Sequence, residues 1–474
     1  MSQILWTNED LSLALQTPIA ATLNITGISI DSRKISAGDL FIALSGPVFD
    51  GNDFIADAAA KGAIAAIVSR KPQQLPPNFI VIVVPDTQQA LIKLAEFARR
   101  RLRGKIIGIT GSVGKTGTKE ALRHVLSVQG KTFATEGNLN NHIGLPLTLA
   151  RMPADTDYAI IEMGMNKPGE IAPLSRLCEP YIGIITAIAP AHIEFFSNGL
   201  EGIADEKADI TAGMGSGGVA IFHRDTPYYD RLIKKAQLQK IGRIIGFGTD
   251  ALAQSRLLNF TAKPDHSEIE ADILGQKLQY RIGIPGKHIA INSLAVLTAV
   301  DAAGANVQKA AADLASLRPA AGRGLRRQIP INGGSIELID ESYNANPDSM
   351  CAAIDVLSHA SVMPGGRRIA ILGDMLELGA HARDLHLSVI PAIRRANLDA
   401  VYLCGANMRF VYDALANVLP AFYAPSSQDM APIVAAALQP GDAVMVKGSL
   451  GSKMRLIIES IDAVTATKTE RRHA

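Results

Sequence analysis

The chain has 474 residues, room for about three domains, and 47% of them are apolar, enough for several cores. Its 47 basic and 45 acidic residues leave a formal net charge of +2, which makes no electrostatic case for nucleic acid or an anionic membrane surface. Cys178, Cys351 and Cys404 are too scattered for a disulfide framework or metal spacing, so a reducing compartment is expected; Met1–Trp6 does not read as a signal peptide, and no apolar run reaches the roughly 18 residues of a membrane span.

Residues 1–100 read as a small α/β unit. Leu40–Leu44 is a short buried strand, Ala56–Ala66 a helix of small residues and Ile80–Val84 a second strand. Around the first strand lie Asp31-Ser32-Arg33, Gly38-Asp39-Leu40-Phe41 and Phe49-Asp50-Gly51-Asn52-Asp53-Phe54, which taken alone are turns rich in glycine and aspartate. The basic run Arg99–Gly104 reads as a solvated helix end and a hinge.

From 104 to 320, strand and helix signals alternate. Ile106-Ile107-Gly108-Ile109 is a buried strand that ends in Thr110-Gly111-Ser112-Val113-Gly114-Lys115-Thr116, and a polar run then opens a helix. Strand, glycine loop and helix in that order make a phosphate cradle: the glycines let backbone N–H groups approach an anion, and the helix N-terminus adds partial positive charge. Lys115 can reach the β- and γ-phosphates of a nucleotide, and the Thr116 hydroxyl can ligate Mg²⁺. The loop is a short form, with Ile109 where the common G-x-x-x-x-G-K-[ST] pattern has its first glycine.

Tyr158–Glu162, Ile182–Thr186, Val219–Phe222 and Ile244–Phe247 read as further strands of a mostly parallel sheet, whose ligands gather at the carboxyl ends of strands. Glu162 stands at one such end as an oxygen ligand for Mg²⁺ or, alone, as a cap or ion-pair partner; His192 follows another. Asn138-Leu139-Asn140-Asn141-His142 is an amide-rich loop, and His288 opens a helix over 290–303. From 321 a second βα series begins, with strands at Ile336–Ile339, Ile369–Leu372, Val401–Cys404 and Ala443–Val446 and helices at Met350–Ala360 and Pro432–Leu438. It is Rossmann-like without a G-x-G-x-x-G fingerprint. Asp340–Asn346, Gly373-Asp374-Met375 and Lys447-Gly448-Ser449 fall at its strand ends, and the polar tail Thr465–Ala474 reads as frayed.

The loop Thr110–Thr116, Asn138–Gly144, Glu162-Met163-Gly164, Ala191-His192, Gly286-Lys287-His288 with Asn292, and Gly322-Arg323 together resemble the Mur ligases, ATP-dependent amino-acid ligases of peptidoglycan synthesis. Asp340-Glu341-Ser342-Tyr343-Asn344-Ala345-Asn346-Pro347 and Gly373–Gly379 narrow the resemblance to the branch that adds D-alanyl-D-alanine to UDP-N-acetylmuramoyl-tripeptide. It spans essentially the whole chain and implies an α/β protein of three domains. These are a small N-terminal UDP-substrate domain (1–100), a central parallel-sheet ATPase domain with a P-loop (104–320) and a C-terminal Rossmann-like ligase domain (321–474).

By that resemblance, Thr110, Gly111, Ser112, Val113, Gly114, Lys115, Thr116, Asn292, Arg323 and Asp340 hold ATP. Thr116, Glu162, His192 and a carbamylated Lys207 hold Mg²⁺ ions; Ser32, Arg33, Asn138 and Asn141 meet the UDP-tripeptide. Tyr343, Asn344, Asn346 and Lys447 meet the dipeptide, while Lys115, Glu162, His192 and Lys207 form the catalytic set. Without the family, Lys207 would read as a surface lysine at a helix start. The implied enzyme is a cytoplasmic monomer with no nucleic-acid partner. Glu341, Ile289 and His223 depart from the usual pattern, which has aspartate at the first position and asparagine at the other two. A folate ligase of the same fold would not need residues 1–100, and a non-catalytic nucleotide switch would not need Lys115, Thr116 and Glu162 together.

Overall fold

The computed structural model describes residues 3–46, 48–73, 77, 79–331, 333–415 and 418–469. Three larger sheets and a two-stranded antiparallel pair, Trp6–Thr7 with Asn24–Ile25, divide them. Gly27–Ser29, Asp39–Ile42, Ala65–Val68 and Ile80–Val83 pair in chain order as a four-stranded parallel sheet. The expected helix over 56–66 is shorter, Ile55–Ala60, because the chain turns at Lys61-Gly62 with Gly62 at φ +106°, and Ala65 already belongs to a strand.

The central sheet has nine strands. Its spatial order is Gln276–Ile282, Ser267–Ile273, Ser255–Ala262, Arg243–Gly248, Val219–His223, Ile182–Ile185, Lys105–Thr110, Tyr158–Glu162 and Thr132–Ala134. The core is parallel, as β-branched runs buried on both faces require. Ile107 and Ile109 face a layer built by the helices Lys115–Ser127 and Lys287–Ala302. Ile106 and Ile161 face the opposite layer, with Ile171–Cys178 and Gly199–Ala208. Each fully buried Ile or Leu in these layers contributes about 1.5–3 kcal/mol of transfer free energy. The antiparallel ribbon Ser255–Ile282 went unread in the sequence, although its middle strand alternates buried Ser267, Ile269, Ala271 and Ile273 with half-buried polar residues.

Chain direction around Lys105–Thr110 decides where a ligand can sit. That strand lies beside Ile182–Ile185, and the connections leaving the carboxyl ends of these two neighbours run to opposite sides, towards Thr132–Ala134 and Val219–His223, which opens a crevice between them. The third sheet runs Leu325–Ile331, Gly334–Glu341, Ala443–Lys447, Arg368–Gly373, Ala400–Cys404, Ala421–Ala424, parallel except for its first strand.

The basic run at 99–103 is only partly solvated. Arg101 lies 4.2 Å over the Trp6 ring and 3.1 Å from Asp10, and Arg99 pairs with Glu179. Fully buried Trp6 donates its indole N–H to Ala150 O at 2.8 Å, and Arg151 donates to Ile28 O at 2.7 Å. The expected hinge is thus a stapled joint between the first two units. The C-terminal helix Arg455–Thr469 carries the expected tail through Thr469; residues 470–474 lie outside the described residues. No helix among the described residues is long and apolar enough to cross a membrane.

Candidate active site

The crevice is a cavity of about 780 Å³. The loop at its floor takes its shape from two glycines. Gly111 has φ +148°, and a Cβ there would lie 2.0 Å from Thr186 Oγ1; Gly114 has φ +85°, and a Cβ would lie 2.6 Å from Asn292 Nδ2. Neighbouring strands hold the loop: Ser112 N–H donates to Ala187 O and its hydroxyl to Ala189 O, both at 2.8 Å, while the Thr186 hydroxyl donates to Val113 O at 2.5 Å. The helix Lys115–Ser127 follows with Gly114 as its N-cap, and its first N–H groups have no partner within the helix. Lys115, half-buried by surface, turns its ammonium inward onto Gly111 O at 2.6 Å. Desolvation there pushes the ammonium below the ordinary lysine value, with Glu162 opposing the shift and Arg323 adding to it.

Glu162 closes its strand almost fully buried, 2% exposed. Its Oε2 accepts the Thr116 hydroxyl at 3.0 Å and its Oε1 the Asn140 amide at 2.8 Å. Asn140 was read only as part of an amide-rich loop; its role as the second partner of Glu162 emerges from the fold. A buried carboxylate beside a hydroxyl suits a hard cation, and the donor set fits Mg²⁺. Among the described residues no three His, Cys, Asp or Glu side chains gather as a metal cage.

Across the crevice stands the C-terminal unit. Gly322, Arg323, Glu341, Tyr343, Asn344, Asn346 and Lys447 line the same cavity as Ser112–Thr116, Asn138, Asn141, Glu162, His192 and Asn292. The Arg323 guanidinium covers the Tyr343 ring at 4.0 Å. His192 and Glu377 reach towards each other from opposite units, with Nδ1 2.5 Å from Oε2. Both are non-glycine residues at positive φ, +59° and +62°, a backbone cost of about 1–3 kcal/mol that clusters at functional sites. Burial pushes the His192 imidazole below its ordinary value against the pull of Glu377, with Lys115 and Lys207 adding to the shift.

Lys207 is 2% exposed, which removes the surface-lysine reading. It stands on the helix Gly199–Ala208 and does not line the cavity, although its charge is felt by Lys115 and His192, which do. Burial first, and then the charge of Lys115, pushes its ammonium well below the ordinary value, opposed by Glu206.

Several expected contacts are otherwise engaged. Asn346 Oδ1 accepts Ser349 N–H at 2.9 Å and caps the helix Pro347–Ser358; Asn141 Oδ1 accepts Ile143 and Gly144 N–H. Lys447, 3% exposed, donates to Glu341 at 3.2 Å and Asn344 O at 3.1 Å, so its charge is answered from within its own sheet. Asp340 turns to the Ser342 N–H and hydroxyl and lies outside the cavity lining. Thr110 and Gly111, at the start of the loop, do not line the cavity. Ser32 and Arg33 also lie outside: Ser32 is buried, and Arg33 points to solvent beside Asp31. Of the departures, His223 stacks on Phe247 at 5.1 Å and lines the cavity, as does Ile289.

The family model for the Mur ligase middle domain matches residues 109–300, that for the Mur ligase glutamate ligase domain 326–450, and that for the Mur ligase family catalytic domain 24–99. The chain is 34% identical over 456 residues to the UDP-N-acetylmuramoyl-tripeptide–D-alanyl-D-alanine ligase of Rickettsia prowazekii (strain Madrid E), covering 96% of this chain and 99% of that protein. It is 36% identical over 390 residues to the ligase of that name from Escherichia coli (strain K12), covering 81% and 82%. Among solved structures it is similar to MurF from Acinetobacter baumannii, with TM-score 0.83, 28% identity and 97% and 99% coverage. It is also similar to MurF ligase from Thermotoga maritima in complex with ADP, with TM-score 0.76, 26% identity and 93% and 98% coverage.

Proposed function

The chain belongs to the Mur ligase family, and from that premise we infer that it joins D-alanyl-D-alanine to UDP-N-acetylmuramoyl-tripeptide at the expense of ATP, releasing ADP and phosphate. What supports this reading best is one continuous cavity bounded by the phosphate loop and Glu162 on one side and by Tyr343–Asn346 on the other.

The tripeptide carboxylate is a poor electrophile until ATP phosphorylates it. The dipeptide amine then attacks the acyl phosphate, the C–N bond forms, and the C–O bond to phosphate breaks. Negative charge grows first on the phosphoryl oxygens, where Lys115 and the N–H groups of the loop meet it. A bound Mg²⁺ would supply positive charge against the phosphates. Thr116 and Glu162 would hold one ion; His192 and a carbamylated Lys207 would hold a second. The depressed affinity of Lys207 for a proton favours the neutral amine that carbamylation needs. Asn292 and Arg323 hold the nucleotide from the two sides of the cleft, with Asp340 acting through the turn at Ser342.

Asn138 and Asn141 line the cavity from the central unit, while Ser32 and Arg33, outside its lining, would meet the part of the UDP-tripeptide that extends to the N-terminal unit. Lys447 is committed to Glu341 and Asn344 O, and the side-chain oxygens of Asn344 and Asn346 to backbone N–H groups, so recognition of the dipeptide falls first to Tyr343 and to the amide N–H₂ groups of Asn344 and Asn346. Closure of the C-terminal unit over the loop excludes the water that would hydrolyse the acyl phosphate. We infer a cytoplasmic monomer, in keeping with the free thiols of Cys178, Cys351 and Cys404.

Phosphate release measured with meso-diaminopimelate- and lysine-containing UDP-tripeptides, with and without D-alanyl-D-alanine, tests the function and identifies the third residue of the peptide. Release that needs both the tripeptide and the dipeptide is expected. Release driven equally by a single amino acid in place of the dipeptide would overturn the substrate assignment.

A further inference from the structure

Lys119 lies one turn into the helix that follows the phosphate loop, and it is among the most deeply buried large side chains of the chain, 1% exposed. Its ammonium donates to Thr135 O at 2.6 Å and lies 3.1 Å from Glu120 Oε1. Thr135, 2% exposed, directly follows the edge strand Thr132–Ala134. Its hydroxyl accepts the backbone N–H of Glu162 at 3.0 Å. Glu162 in turn accepts the Thr116 hydroxyl at 3.0 Å, and Thr116 sits three residues before Lys119 on the same helix. The ring is closed: helix, edge strand, carboxylate and helix again.

We propose that Lys119 and Thr135 are positioning residues for the cation site of the inferred ligase, setting the distance between the helix that carries Thr116 and the strand end that carries Glu162. This rests on the reading of Glu162 as the Mg²⁺ carboxylate. Residues three apart share a helix face, so a rotation that brings Lys119 onto Thr135 also aims Thr116 at Glu162. The edge strand has three residues and a strand neighbour on one side only, and past it the Thr135 N–H still donates to Ile160 O at 3.0 Å, so the Lys119 bond fixes the end from the helix side that the sheet does not reach. That end leads into the loop carrying Asn140, the other partner of Glu162, and the Lys119 bond therefore anchors both. A buried ammonium is a poor device for stability, since an apolar side chain of similar volume packs as well without being stripped of water. The lysine earns its place if what it supplies is geometry.

The test compares Lys119→Met, Thr135→Val and Thr135→Ser with the wild-type chain. Mn²⁺ binding is followed by electron paramagnetic resonance with a non-hydrolysable ATP analogue present, alongside thermal midpoints and the KM for dipeptide. Outer partners of metal ligands typically contribute about 10–100-fold in metal affinity. Lys119→Met and Thr135→Val should weaken Mn²⁺ binding by roughly tenfold or more, leave the dipeptide KM unchanged, and show no loss of thermal midpoint for Lys119→Met; Thr135→Ser should bind as wild type. Folded variants that bind Mn²⁺ as tightly as wild type overturn the proposal, as does a lowered midpoint with every parameter falling together. Should Lys119→Met fail to fold, the Thr135→Val and Thr135→Ser pair decides alone. A wild-type chain that binds no Mn²⁺ with nucleotide refutes the underlying reading of Glu162 instead, and the proposal falls with it.

Discussion

Replacing Glu162 by glutamine separates the carboxylate's charge from its shape. The amide is nearly isosteric, and its oxygen can still accept from Asn140, at 2.8 Å in the native chain. Hydrogen bonds to a charged acceptor contribute about 1.5–3 kcal/mol and neutral ones about 0.5–1.5. The two bonds to Glu162 therefore weaken by roughly 1 kcal/mol each, and removing a buried charge offsets part of that. Stability should change little. The cation site should suffer far more. In the native chain the Thr116 hydroxyl donates to Glu162 at 3.0 Å and leaves its lone pairs for a cation. A glutamine Nε2 facing Thr116 would donate to that oxygen and take up a lone pair, while the anionic ligand is lost as well. Loss of one such electrostatic contact at the transition state typically costs about 10²–10³ in turnover, roughly 3–4 kcal/mol. Phosphate release across a Mg²⁺ titration, with calorimetric midpoints in parallel, reads both quantities. Turnover within about threefold of wild type at moderate Mg²⁺ would refute the assignment of Glu162.

Lys115→Ala should lose about 10²–10³ in turnover with its thermal midpoint preserved, because its ammonium bonds only a loop carbonyl in the resting chain; near-normal turnover would remove the phosphate-loop reading. Lys207→Ala should be nearly inactive and partly rescued by short carboxylates, and intact-mass measurement of the wild type in bicarbonate should show one added carbon dioxide; an active alanine variant would end the carbamate assignment. Asn346→Asp keeps the oxygen that caps Pro347–Ser358, so a raised dipeptide KM at unchanged midpoint would assign the lost amide N–H₂ to the substrate, and an unchanged KM would leave Asn346 as a cap alone. His386 is fully buried, with Nδ1 bonded to Ala382 O and Nε2 accepting Met375 N–H, and burial holds it below the ordinary histidine value near 6.5. The unfolded chain then binds the proton more readily, so this contribution is complete above about pH 6.5 and is lost as pH falls towards the folded-state value. His386→Leu should lower the midpoint at pH 8 and flatten its decline in acid; an equally steep decline would place the acid sensitivity elsewhere.

The strand–loop–helix at 105–127 was legible because each of its determinants is local. A β-branched run makes the strand, two glycines supply a backbone that other residues resist, and the helix start is polar. The Rossmann-like strands after 321 were legible for the same reason, their apolar runs being short and bounded by turns. The ribbon Ser255–Ile282 had a readable alternation that competed with a βα rhythm on either side. The cap at Asn346, followed by Pro347 and with Ser349 at the third helical position, also had a local signature; it was read as a substrate contact because it lies in the same motif.

What the amino-acid order determined by itself, then, is the set of local elements, the phosphate loop and the family to which its motifs belong. Tertiary structure decided which charges answer one another. Lys447 meets Glu341 because two parallel strands about a hundred residues apart in sequence share one register, and His192 meets Glu377 because two units close on one crevice. Lys207 looks like a surface lysine in sequence, and Lys119 falls in the polar run that opens its helix. The layer packed against each helix turned them in, and for Lys207 burial weakens the hold on its proton more than any neighbouring charge does.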